Sequence, residues 1–352
     1  MKCIHPLAAA AALAATSFAL PAAAQFHRLE AAVKLQSAAP DWDYLSFDPA
    51  RSYLFIAARA DGVIVYDAKT KKLVRTIEQS HDANATVLVP EFDRGYTVNE
   101  DGTTTAFRLS SLTAIKRTKF AEAGDSGAYE PVTRQVVFTV SETRELVFLD
   151  AESGATTGRL KIESGKPEFP TPDGRGHLYL GERDRDAVLL IDAKERKIVA
   201  EWKTEGCAEP NGVALDRTHK RLFIGCRGRG INPVLAVLDA ESGKVITTLP
   251  IGRGNDGVIY DPDTRKVYAS GGVDANLVVY QQVDADRYKL AEATTTRPYA
   301  RTMALDPTTK KVYLVTAEGT VDPTKKVNQG PAPFYPNRYF PETFTLLIYA
   351  PK

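Results

Sequence analysis

An all-β fold, a seven-bladed β-propeller of four-stranded antiparallel blades, is what this sequence predicts, and three observations predict it. One phrase recurs seven times; the chain between copies reads as short β-rich strands separated by turn residues; and the two ends of the chain complement each other as parts of one blade.

The phrase is an apolar strand, a tight turn around Asp-Pro, and a second apolar strand. It is clearest in Leu45–Pro49 with Tyr53–Ile56, Val213–Asp216 with Leu222–Ile224, Val258–Pro262 with Val267 and Tyr268, and Met303–Pro307 with Val312–Val315. Weaker copies stand at Val87–Glu91, Ala128–Pro131 and Glu168–Gly174. A third strand follows and ends in Asp-Ala, as in Val63–Ala68, Leu146–Ala151, Val188–Ala193 and Leu235–Ala240. Lys72–Ile77 and Lys244–Leu249 read as fourth strands. The period is 41 to 45 residues, the length of one blade. No amphipathic helix of useful length competes. The last copy has a third strand, Phe344–Tyr349, and no fourth. Leu29–Leu35 supplies one, so the N-terminal strand is expected to close the last blade and pair an open edge.

These residues carry a resemblance. The D-P-x-x-[KR]-[KR]-[VL]-Y phrase, in Asp261–Tyr268 and Asp306–Tyr313, and the D-A-x-[ST]-[GK] turn, in Asp67–Lys71 and Asp239–Gly243, make the chain similar to the YVTN-repeat, YncE-like bacterial propellers. The resemblance covers residues 25–352 and implies the repeat type. WD40 repeats fit less well, since Trp42-Asp43 is the sole Trp-Asp pair.

Composition bounds the function. Charged residues are 25% of the 352, hydrophobic ones 43%, and the net charge is +1, so a nucleic-acid partner is not expected. Residues 1–24 read as a signal peptide: Lys2, an apolar Leu/Ala run, and a small-residue site at Ala22–Ala24. Residues 25–352 are then one propeller domain, periplasmic or secreted, expected as a monomer and without a transmembrane segment. In an oxidising compartment Cys207 and Cys226, which flank one hairpin, read as a disulfide, with two buried thiols as the alternative.

Propellers usually bind ligands where the innermost strands begin. The residues opening those strands are Asp43, Asn84, Asp125, Glu168, Asn211, Asp256 and Arg301, spaced 41, 41, 43, 43, 45 and 45. Four converging carboxylates need an offset: a cation, the arginine, or raised pKa values. Oxygen ligands suit Ca²⁺. Metal-dependent lactonases of the gluconolactonase type hold Ca²⁺ with Glu, Asn and Asp, the residue types of Glu168, Asn211 and Asp256, but usually on six blades. The bland alternative is a ring of solvated polar side chains bonded to neighbouring loops. An insertion at about 317–342 in the last blade is rich in Pro and aromatics, and Phe334, Tyr335, Arg338 and Tyr339 read as lid residues or as a flap packed on its neighbours.

Two motifs fail on context. Gly124–Gly127 resembles a serine-protease nucleophile motif without its histidine, and Gly252–Gly257 fits G-x-G-x-x-G but precedes a strand rather than a helix. The leading expectation is therefore a binding propeller for a small polar ligand, a cation or a protein partner at the channel mouth. The alternative is a Ca²⁺-type lactonase or esterase; the sequence leans away from catalysis and identifies no catalytic residue.

Overall fold

The aspartate that ends an inner strand folds back on its own turn, and this makes the repeat. Asp48 Oδ1 accepts the amides of Ala50 and Arg51, Asp216 Oδ1 those of Thr218 and His219, and Asp306 Oδ1 those of Thr308 and Thr309. Glu130 holds Val132 and Thr133 in the same way. The Asp-Ala turns repeat the device: Asp67 takes the amides of Lys69 and Thr70, and Asp192 those of Lys194 and Glu195. A side-chain oxygen two or three residues back satisfies amides that the turn leaves unpaired, so each turn is specified locally.

The computed structural model describes Met1 and residues 26–327 and 335–352. The signal-peptide reading, Met1 apart, and Phe334 lie outside the described residues. Seven four-stranded antiparallel sheets form the seven blades of an all-β propeller. Their inner strands are Leu45–Asp48, Ala83–Val89, Gly127–Glu130, Thr171–Pro172, Pro210–Asp216, Val258–Asp261 and Met303–Leu305. Second and third strands are almost wholly buried, as in Tyr53–Ala57 and Val63–Asp67, while the outer strand Lys72–Thr76 is exposed along its length. Aromatic side chains fill the space between neighbouring blades. Phe55 packs on Phe107, Phe120 on Phe138, and Phe223 on Tyr260.

The last blade closes as the sequence predicts. The N-terminal strand, His27–Lys34, pairs antiparallel with Thr345–Pro351, from His27 opposite Pro351 to Lys34 opposite Thr345. His27 anchors this closure to the preceding blade. Its amide and Nδ1 both meet the Glu292 carboxylate, at 2.7 and 2.6 Å, and its Nε2 meets the Lys310 carbonyl at 3.0 Å. Cys207 and Cys226 form the disulfide, which is buried and closes 19 residues. Among the described residues no helix is long and apolar enough to cross a membrane.

Candidate functional site

Five of the seven strand-opening residues, Asp43, Asp125, Glu168, Asp256 and Arg301, line one cavity of about 710 Å³ at the channel mouth. The two amides do not. Asn84 donates to the Gly124 carbonyl at 2.8 Å, bridging blades two and three. Asn211 is 1% exposed, and neither its side-chain nitrogen nor its oxygen has a hydrogen-bond partner among the described residues. A buried amide with both ends unmet costs a few kcal/mol unless water or a ligand completes it.

The carboxylates meet guanidinium groups. Arg59 bonds Asp43 at 2.8 Å and also pairs with Asp41 and Glu100. Arg183 pairs with Glu168 at 2.8 Å. Asp256 is gripped by Arg227 through one oxygen and by Arg301 Nε through the other, the latter at 2.8 Å. Sequence reasoning missed Arg59, Arg183 and Arg227, although a signal was there. They stand where the second strand returns to the mouth, sixteen residues after Asp43, fifteen after Glu168 and sixteen after Asn211. An outgoing strand and its returning neighbour bring such positions side by side on one face.

The pairs differ in how complete they are. Arg59 is spent on three carboxylates. Arg301 donates to the Trp42 carbonyl and to Tyr335 as well as to Asp256, and lies over the Trp42 ring. On blades four and five the cations have valences to spare. Arg227 uses Nε on the Asn255 carbonyl and Nη2 on Asp256, leaving Nη1 without an acceptor among the described residues. Arg183 has one carboxylate partner, and the Lys166 ammonium has none among the described residues. All three line the cavity.

Protonation follows the same division. Burial, then the charges of Glu168 and Asp43, push the Asp125 carboxyl up to about 8, which favours its protonated form at neutral pH. Burial also raises Glu168, against the pull of Arg183 and Arg227. Burial and the neighbouring Arg183 hold the Arg227 guanidinium below its ordinary value.

The described parts of the insertion reach the mouth. Gly319–Thr320 pairs with Arg338–Tyr339, and Tyr335 reaches the cavity, within 3.4 Å of Arg301 and edge-on to Tyr299. Tyr339 instead packs against Trp42, with ring centroids 5.0 Å apart, and Arg338 is exposed. Of the trio typical of lactonases, Glu168 and Asp256 face arginines, and Asn211 stands outside the cavity lining, unpaired among the described residues. Among the described residues, clustered His and carboxylate ligand atoms occur at His81, Asp82 and Asp101 on the outer surface. There Arg117 already bonds His81 at 2.9 Å and Asp101 at 2.8 Å. Ser126 of the protease-like motif is fully buried and bonded to Thr139 and the Glu168 carbonyl, a structural tie between blades.

Beneath the mouth the channel changes character. A second cavity of about 390 Å³ runs along the inner strands to the Asp-Pro turns at Pro49, Pro262 and Pro307. Its walls are mainly apolar, and Tyr44 and Asp256 line both cavities.

No curated protein matches this sequence. The fold is shared with solved propellers. A chain of Kuenenia stuttgartiensis hydrazine synthase is 15% identical, with a TM-score of 0.69 over 80% of this chain and 94% of that one. The WD40 repeats of RRP9 are 10% identical, with a TM-score of 0.74 over 93% of this chain and 100% of that one. A chain of a mitotic checkpoint complex is 14% identical, with a TM-score of 0.72 over 99% of each. At these identities the likeness is one of fold. The family model described as outer membrane protein assembly factor BamB matches residues 108–322, more than half of the sequence, and the chain belongs to that family.

Proposed function

We propose that this chain is an exported propeller that binds a small anionic ligand, a carboxylate or a phosphate, at its channel mouth. One observation carries the reading. Arg183, Arg227 and Lys166 all line the cavity, and among the described residues Arg227 Nη1 and the Lys166 ammonium meet no carboxylate while Arg183 meets only Glu168. Charge-assisted bonds from such groups are the strong ones in ligand recognition. Asp125, favoured in its protonated form, adds a donor in the same cavity, and the buried disulfide fits an oxidising compartment. A divalent cation fits less well, because it would displace the guanidinium groups that Asp43, Glu168 and Asp256 already hold. The same point weighs against the Ca²⁺-type hydrolase.

Melting curves with phosphate, with short carboxylates and with CaCl₂ at matched ionic strength test this. An anion at a hundred times its dissociation constant stabilises by about 2.7 kcal/mol. The shift is expected with anions and lost in Arg227→Ala and Arg183→Ala. A shift with Ca²⁺ alone, abolished by chelator, overturns the reading. Family membership favours a second reading, a protein partner, since the family is described by its role in outer-membrane protein assembly. In that case mouth substitutions leave partner capture intact.

A further inference from the structure

The mouth is larger than a lone phosphate or carboxylate group needs, and it does not end at the ring. Tyr44 and Asp256 line both cavities, so the charged mouth and the channel below adjoin at these two side chains. Tyr44 stands at the junction. Its hydroxyl lies 3.4 Å from Glu168 Oε2, on the polar side, and its ring packs on Phe169 at 5.4 Å, on the apolar side. Below it the walls are Leu45, Phe47, Val213, Val258, Met303 and Leu305, with backbone from the inner strands between them. The Asp-Pro carboxylates at the far end are turned onto their own amides. The walls therefore offer a guest little besides apolar contact. An inner strand such as Val258–Asp261, four residues long, gives this passage a length of roughly 13 Å.

A polar and an apolar cavity thus adjoin, with cations that keep unused donors in the polar one. We propose that the ligand is an anionic amphiphile, its head bonded by Arg183, Arg227 and Lys166 and its alkyl tail passing Tyr44 into the channel. The proposal rests on the anionic-ligand reading and extends it from the head group to the whole molecule. Burying a tail here removes apolar surface from water on both partners, and each methylene contributes about as much as in other transfers from water. A channel lined by inner strands of five blades, with cores packed between those blades, is also rigid enough to be largely pre-formed.

The test is titration calorimetry of the mature protein with butanoate, hexanoate, octanoate and decanoate at pH 7 and one ionic strength, below micelle formation. Affinity is expected to tighten by about fourfold per added methylene until the tail reaches the Asp-Pro rim, with an increasingly negative heat-capacity change. Leu305, half-buried on the channel wall, is the place to block it. Leu305→Trp is expected to flatten the affinity gain from butanoate to decanoate. Should that variant fail to fold, the wild-type series decides alone. Equal affinity for all four acids overturns the tail while leaving the anionic mouth standing. Decanol binding as tightly as decanoate overturns the head. No binding of butanoate, decanoate or inorganic phosphate overturns both readings.

Discussion

At the Asp-Pro end of the inner strands, Asp48, Asp216 and Asp306 bond backbone amides two and three residues ahead. At the opposite, mouth end of the inner strands, Asp43, Glu168 and Asp256 bond cations that arrive on a neighbouring strand or from a neighbouring blade. The residue type is shared and the bonding differs. A turn carboxylate first takes the amides of its own tetrapeptide, and a donor from farther away, such as Gln282 Nε2 on Asp216 or Lys310 on Asp261, fills what remains, so little is left over for a ligand. A mouth carboxylate depends on long-range partners, and around the ring those partners are matched unevenly. Blades one and seven hold cations saturated by protein acceptors, and blades four and five hold cations that are not. The comparison teaches that the location of the acids is a poor guide to the site; the unfilled donors mark it.

The largest expected effect is on the covalent tie at the mouth. Cys226 immediately precedes Arg227, and its bridge to Cys207 fixes the hairpin that aims that guanidinium. A loop of this length stabilises by about 3 kcal/mol in the chain-entropy account. Cys207→Ser with Cys226→Ser is expected to lower the urea midpoint accordingly and to weaken anion binding together with it. Lost stability with unchanged binding would separate the hairpin from the site.

Asp261 probes the opposite end. It is 2% exposed and receives Thr264 Oγ1 at 2.6 Å and Lys310 Nζ at 2.9 Å, tying blade six to blade seven. Asp261→Ala leaves a buried hydroxyl without its acceptor and deprives Lys310 of one of its two carboxylates, a cost of about 2 kcal/mol. Urea unfolding should show it with an unchanged slope, and anion affinity should not move. A fall in affinity here would mean that the two ends of the channel are coupled.

What could be read from the sequence divides along the same line. The turns were legible because Asp48 and Ala50, or Asp67 and Lys69, are partners within one short phrase, and the phrase repeats. Strand openings were legible for the same reason, and so was the closing strand, which begins at His27, two residues earlier than expected. The pairing of Arg227 on blade five with Asp256 on blade six was not, because it depends on blade twist and ring closure. Asn84 and Asn211 share the ring register yet lie outside the cavity lining. The insertion was legible as an interruption of the period, but that says nothing of which aromatic turns where: Tyr335 reaches the mouth and Tyr339 packs on Trp42.

Asp125 gives an effect of opposite sign. Its carboxyl is pushed up to about 8 by burial and by Glu168 and Asp43, against the weaker pull of Arg183 and Arg59, and among the described residues no cation forms an ion pair with it. The folded protein keeps a proton there that the unfolded chain loses above the ordinary aspartate range. Stability from this group is therefore full below about pH 4 and declines as the pH rises toward 8. Even one unit of such a shift is about 1.4 kcal/mol, or roughly 2 °C or more in a chain of this size. Asp125→Asn keeps a donor and removes the titration, so it is expected to raise the melting temperature at pH 7 and to leave it unchanged at pH 4. Anion affinity in the wild type should fall as the pH passes 8, where ionised Asp125 adds a negative charge to the mouth, and should stay level in the variant. A variant that melts lower at pH 7 would mean that the Asp125 carboxylate is ionised and paired, and the mouth would then have no unsatisfied acid to set against its unsatisfied arginines.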